Sequence, residues 1–136
     1  MLSLPDAAAI RAALKQPLDP RLYAILADEL ATAESLHLEN LTYVLVIQPG
    51  DTEGAIQQEI GWSPLVAPIA QARFGTREFV PYWAGLENLG GWYSLTHPVG
   101  NDGFAYILVI EDAPGSPAEL LRMCRHYAGE GGGCAF

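Results

Sequence analysis

Two segments constrain this chain more than any other feature. Tyr43-Val44-Leu45-Val46-Ile47 and Tyr106-Ile107-Leu108-Val109-Ile110 are near-copies rich in β-branched residues. Each runs into polar and turn residues, Gln48-Pro49-Gly50-Asp51 after the first and Glu111-Asp112-Ala113-Pro114-Gly115 after the second. Each is followed by a helix-start signal. A run this continuously apolar reads as a strand buried on both faces, not as a surface strand with one wet side. The two segments are therefore expected to be the central strands of a sheet. Their offset of 63 residues is compatible with duplication. Buried strands draw on few residue types, however, and the likeness needs no more than that.

The flanking sequence supplies the helices. Ser3-Leu4-Pro5-Asp6 resembles a capping box, with Ile10, Ala13 and Leu14 as a modest apolar face and Lys15-Gln16-Pro17 as the stop. Asp19 is expected to cap a second helix with Pro20 at its first position. Leu22, Ile25, Leu26, Leu30 and Ala33 then recur three or four apart, with Asp28, Glu29 and Glu34 facing away. The short connection makes this pair a helical hairpin. After the first buried strand, Asp51 is expected to cap a short helix ending at Gly61, and the proline-broken residues 62–69 could hold a short edge strand.

Residues 71–91 are the least regular. Tyr82, Trp83, Leu86 and Leu89 have helical spacing, which predicts a short helix over 81–89 stopped by Gly90-Gly91. A β-hairpin follows: residues 92–99 and 104–111 flank Gly100-Asn101-Asp102-Gly103, so Val99 should oppose Phe104, His97 oppose Tyr106 and Leu95 oppose Leu108. Pro98 cannot donate to a ladder, which places the 92–99 strand near an edge at that end. Ser116-Pro117-Ala118-Glu119 reads as a capping box that starts the last helix, with Leu120, Leu121, Cys124 and Tyr127 or Ala128 on its core face.

The fold expected is α+β: an N-terminal helical hairpin and a C-terminal helix packed on a small mixed or antiparallel sheet with a central β-hairpin. At 136 residues, residues 1–128 form one domain able to bury a core without staples. Residues 129–136, with four glycines, are expected to be a flexible tail.

Composition narrows function by exclusion. Half the residues are hydrophobic and 17% are charged, which is a globular balance. No apolar stretch reaches membrane-span length, and the N-terminus lacks a basic region followed by an apolar one, so the chain reads as cytoplasmic and not membrane-bound. The formal net charge is −9, with one lysine and six arginines. Nucleic-acid binding is not expected, because that affinity rests on clustered Lys and Arg. A basic protein partner is compatible with the charge.

No motif carries a reaction. His37, His97 and His126 have no metal-ligand spacing, and no cofactor or metal is called for. Cys124 and His126 are two apart, which on a helix turns them about 200° from each other. Cys124 therefore reads as a small core residue. The best catalytic candidates are His97, Asp102 and Tyr106, grouped by the hairpin, but a tight turn demands glycines and short polar residues on geometric grounds alone. Glu111 and Asp112, at the end of a buried strand, stand where α/β sites often place carboxylates.

Arg73, Phe74, Arg77, Tyr82, Trp83 and Trp92 are the best candidate contact surface, since arginine and aromatics are enriched at binding hot spots. The competing account packs these aromatics into the core. The sequence thus favours a small acidic binding or regulatory module acting through an aromatic and arginine-rich surface. The alternative is a small enzyme or small-molecule binder with a pocket near the 92–111 hairpin. Oligomeric state is not read from the sequence.

Overall fold

A computed structural model describes residues 1–40, 42–61, 85–99 and 104–129. The described elements run β1 (Leu2–Leu4), α1 (Ala7–Ala13), α2 (Pro20–Ser35), β2 (Thr42–Ile47), α3 (Glu53–Gly61), β3 (Gly85–Asn88), β4 (Trp92–Val99), β5 (Phe104–Glu111) and α4 (Ala118–Gly129). The fold is α+β. Its mixed sheet has the order β1-β2-β5-β4-β3.

The two near-copy strands are neighbours. β2 and β5 pair in parallel, with Tyr43 opposite Tyr106, Leu45 opposite Leu108 and Ile47 opposite Ile110. The repeated sequence is thus matched residue for residue across the ladder. β5 is the middle strand and forms an antiparallel hairpin with β4, in which Val99 opposes Phe104, His97 opposes Tyr106 and Leu95 opposes Leu108, as the turn chemistry predicts. The turn itself, residues 100–103, lies outside the described residues, as do residues 62–69 and the tail from 130 onward.

Alternate residues of the central strands divide the core into two layers. On one face Val44, Val46, Ile107, Val109, Leu4 and Trp92 pack with Ile10 and Ala13 of α1 and with Leu22, Ile25 and Leu26 of α2. Leu45, Ile47, Leu108, Ile110, Tyr93 and Leu95 take the other face and are equally buried. There α3 lies against the sheet, its Glu59 accepting a hydrogen bond from Tyr43 at 3.0 Å. Ile56 of α3 and Leu120, Leu121 and Cys124 of α4 are buried with this layer. Helices on both faces explain why β2 and β5 are apolar throughout.

Several local expectations are corrected. The first helix does not begin at Ser3. Residues 2–4 form β1, antiparallel to β2 with Leu2 opposite Val46 and Leu4 opposite Val44. Asp6 is the N-cap of α1 and accepts from the Ala9 N–H at 2.9 Å. The apolar-polar-apolar order Leu2-Ser3-Leu4 has strand period, and an open edge of β2 was there to receive it. α2 begins as expected, with Asp19 accepting from the Arg21 N–H at 2.8 Å and Pro20 in the first turn. In α3 the side-chain cap is Thr52, whose hydroxyl accepts from Ala55 N–H at 3.1 Å. Asp51 instead closes the turn by accepting from Gln48 N–H at 2.8 Å.

Residues 85–88 are a strand, not the end of a helix. Leu89-Gly90-Gly91-Trp92 makes the reason plain. Gly90 and Gly91 have φ of 64° and 95°, the two successive positive values of a type I′ hairpin turn. They close β3 onto β4, and the Leu89 N–H donates to the Trp92 carbonyl at 2.6 Å. Glycines that read as a helix stop are here the centre of a hairpin. β4 is consequently an interior strand, although the described β3 covers it only as far as Thr96, short of Pro98. Ser116 does not cap α4. It is buried, and its hydroxyl donates to the Glu111 carbonyl at 2.8 Å. The cap comes from α3, where Glu53 Oε1 accepts from the Glu119 N–H at 2.9 Å.

Candidate functional site

The C-terminal ends of parallel strands are where open α/β sheets place their ligands, in the crevice between the loops. Here the loops after β2 and β5 close that crevice against each other. The Gly50 N–H donates to the Gly115 carbonyl at 2.9 Å. Gly115 has a φ of 92°, which favours glycine, and a Cβ there would touch Pro49 at 3.4 Å, so the two loops lie in close contact. Glu53 then ties the start of α3 to the start of α4.

Asp112, at the end of β5, is held just as firmly. Its Oδ2 accepts from the Tyr93 hydroxyl at 3.2 Å, its Oδ1 from Arg125 Nε at 3.0 Å and from the second guanidinium nitrogen, and its backbone N–H donates to the Gly91 carbonyl at 2.8 Å. Burial, reinforced by the negative charge of Asp112 and the hydrogen bond to it, pushes the Tyr93 hydroxyl above its ordinary pKa. The hydrogen bonds that Arg125 donates to Asp112 raise its own pKa. Cys124 is fully buried, and burial with a smaller push from Asp112 takes its thiol up to about 12. Such a thiol is not a nucleophile near neutral pH. The cluster clasps β4, β5 and α4 together through one carboxylate, and its groups are spent on that.

Of the expected catalytic residues, His97 and Tyr106 occupy directly opposed register positions on β4 and β5. Asp102 lies outside the described residues. Of the expected contact residues, Arg73, Phe74, Arg77, Tyr82 and Trp83 lie outside them as well. Trp92 is corrected from contact to core. It is 1% exposed and packs with Leu22, Ile25, Leu26 and Val109. Its indole Nε1 is buried without a hydrogen-bond partner among the described residues.

An open groove does exist among the described residues, where the sequence reading placed none. It lies between α2 and the β3–β4 turn, has a volume of about 360 Å³, and is lined by Arg21, Ala24, Ile25, Asp28 and Leu89. Its walls are mostly apolar, and Leu89 is one of few large apolar residues left exposed among those described. Arg21 stands at one end. Its Nη1 donates to the Gly90 carbonyl at 2.8 Å, and its Nε and Nη2 donate to Asp19 at 3.3 and 3.0 Å. The guanidinium holds the Asp19 carboxyl below the usual carboxylate value. It also packs under the turn, where a Cβ at Gly91 would meet Arg21 at 2.8 Å. Asp28 is exposed at the other end of the groove.

The signal for this groove was present in the sequence. Arg21, Ala24, Ile25 and Asp28 are spaced i, i+3, i+4 and i+7, one face of a helix. The stronger stripe, through Leu22, Ile25, Leu26, Leu30 and Ala33, shares Ile25 with this face and points to the core. Among the described residues no group of three His, Cys, Asp or Glu is placed to hold a metal ion, and no helix is long and apolar enough to cross a membrane. The chain matches no family model, no curated protein and no solved structure.

Proposed function

We propose that this chain is a small binding or regulatory module acting through a protein surface, with Arg73, Phe74, Arg77, Tyr82 and Trp83 as its contact residues. The observation that carries the reading is the anchoring of the chain that follows them. Residue 85 opens β3, whose hairpin with β4 is fixed by a type I′ turn, by Arg21 on the Gly90 carbonyl and by the buried Trp92 and Tyr93. Arginine and aromatic side chains borne beside a rigid scaffold are the usual makings of a recognition surface. The reading is supported further by what the reactive groups are engaged in: Asp112 and Tyr93 in a clasp, Cys124 in the core. The acidic balance of the chain favours a basic partner.

The test is quantitative capture from the native cell with wild type and with Arg73→Ala/Arg77→Ala, both first shown to be folded by circular dichroism. A species retained by the wild type and lost by the variant is the expected result. Equal capture by the two would sink the reading. A second reading, a small-molecule site at the 92–111 hairpin, is favoured by the opposition of His97 and Tyr106. It predicts that His97→Ala abolishes binding of a small ligand while leaving partner capture intact.

A further inference from the structure

The groove beside α2 has a symmetry of its own. Along the helix its lining reads Arg21, Ala24, Ile25, Asp28: a cation at one end, an anion at the other, and apolar side chains between. The midpoint of positions 21 and 28 falls between Ala24 and Ile25. If a second α2 is laid antiparallel across this point, each Arg21 meets the other copy's Asp28 and the two exposed Ala24 side chains meet at the centre, over the largely buried Ile25. The stripe is therefore complementary to itself, as the patch at a twofold interface must be.

We infer that the α2 groove is a self-association surface, on which two copies of this chain pack α2 against α2, antiparallel about a twofold axis between Ala24 and Ile25. The charges fit this occupant. Asp28 is exposed and makes no ion pair or hydrogen bond with the described residues. Arg21 is half exposed and uses three of its N–H groups on Asp19 and Gly90. A guanidinium carries five, so two remain for a second carboxylate. The spacing fits as well, because Arg21 and Asp28 are about 10.5 Å apart along the helix axis and sit on the same face. Ala24 at the crossing point lets two helix axes approach to about 8 Å. Leu89, on the groove's outer wall, is then covered by the other copy's α2. The inference does not depend on the partner-binding reading, and its tests need no partner.

Sedimentation equilibrium of the full chain decides it first. The wild type is expected to dimerise reversibly, with a Kd of about 1–100 µM for an interface of little more than one helix pair. Asp28→Lys sets like charges against each other twice per dimer and is expected to weaken association at least about tenfold. Asp28 is exposed, so the variant is expected to fold, with its circular dichroism spectrum as the check. Crosslinking then fixes the geometry in a Cys134→Ser background. Ala24→Cys lies at the axis and should form an intermolecular disulfide under mild oxidation. Thr32→Cys, on the same face, would lie about 22 Å along the axis from its mate and should not. A monomer at every concentration up to about 1 mM would overturn the inference and leave the groove to a different protein. So would a dimer indifferent to Asp28→Lys, or one that Thr32→Cys crosslinks as readily as Ala24→Cys.

Discussion

Asp112 and Asp28 are two aspartates on one small protein, and they are employed in opposite ways. Asp112 sits at the end of the central strand and is gripped by a tyrosine from β4 and an arginine from α4. Asp28 sits on an open helix face beside an apolar groove and is gripped by nothing among the described residues. Sequence position suggests the reverse assignment. The end of a buried parallel strand is where a functional carboxylate is sought, and a mid-helix acid is usually solvent decoration. The reversal has a physical cause. Among the described residues, loops that meet across glycines draw the C-terminal end of the sheet together, and the carboxylate there acts as a tie. The groove next to α2 arises because the β3–β4 hairpin stands beside the helix on an arginine and does not pack flush on it.

If the Asp112 end is scaffold and the α2 face is surface, damage should rank accordingly. The largest effect is expected in the strands that carry the clasp. Leu108 lies in the middle of β5 with no exposed surface, between Leu45 and Leu95. Leu108→Ala should cost about 2–5 kcal/mol, from lost transfer energy and the cavity left behind. Urea unfolding measures it, and a loss under about 1 kcal/mol would show that β5 is not the core of the sheet.

The next effect is alkaline. The Cys124 thiol has its pKa raised from 9.0 to about 12 in the folded state. Below pH 9 both folded and unfolded chains keep the proton, and the thiol contributes its full stability. Above pH 9 the unfolded chain loses the proton while the folded chain retains it, so stability falls as pH rises through this window, by up to about 1.4 kcal/mol per pH unit. Tyr93, with its pKa raised above 10.0, adds a loss of the same sign. Cys124→Ala should lower stability at pH 7 yet flatten the decline between pH 9 and 11. A variant that keeps the wild-type slope would assign the decline elsewhere.

The sequence carried the architecture well where a pattern had one physical meaning. Two continuously apolar runs can only be buried on both faces, and the 92–111 hairpin register follows once its turn is placed. Asp19-Pro20 can hardly be other than a helix start. It carried less where one residue type serves two geometries. Gly90-Gly91 stops a helix or turns a hairpin, and the choice depends on a β4 strand waiting to pair. Ser116 caps a helix unless a nearer acceptor, the Glu111 carbonyl, claims its hydroxyl first. Trp92 is an interface residue or a core plug, depending on whether α2 covers its face of the sheet. The groove was hidden for a further reason. Its lining joins α2 to Leu89 across more than sixty residues, and no local pattern reports a neighbour that distant in the chain.

The smallest effects decide the comparison itself. Asp112→Ala removes the acceptor of Tyr93 and of Arg125 at once. The Asp112 side chain is 26% exposed, so water screens the ion pair only in part, while the Arg125 side chain is 56% exposed and contributes less than a buried partner would. The expected loss is about 1–3 kcal/mol, most of it from the Tyr93 hydroxyl left without its acceptor. Asp28→Ala removes a side chain with no such ties, from an exposed helix position where alanine is the better helix former. Its effect should lie within about 0.5 kcal/mol, and on propensity alone its sign favours the variant. Both are read from unfolding midpoints at a protein concentration low enough to keep the chain monomeric, so that self-association does not enter. Equal losses for the two would erase the distinction between tie and surface. A large loss at Asp28 alone would invert it, and α2's outer face would then be part of the scaffold.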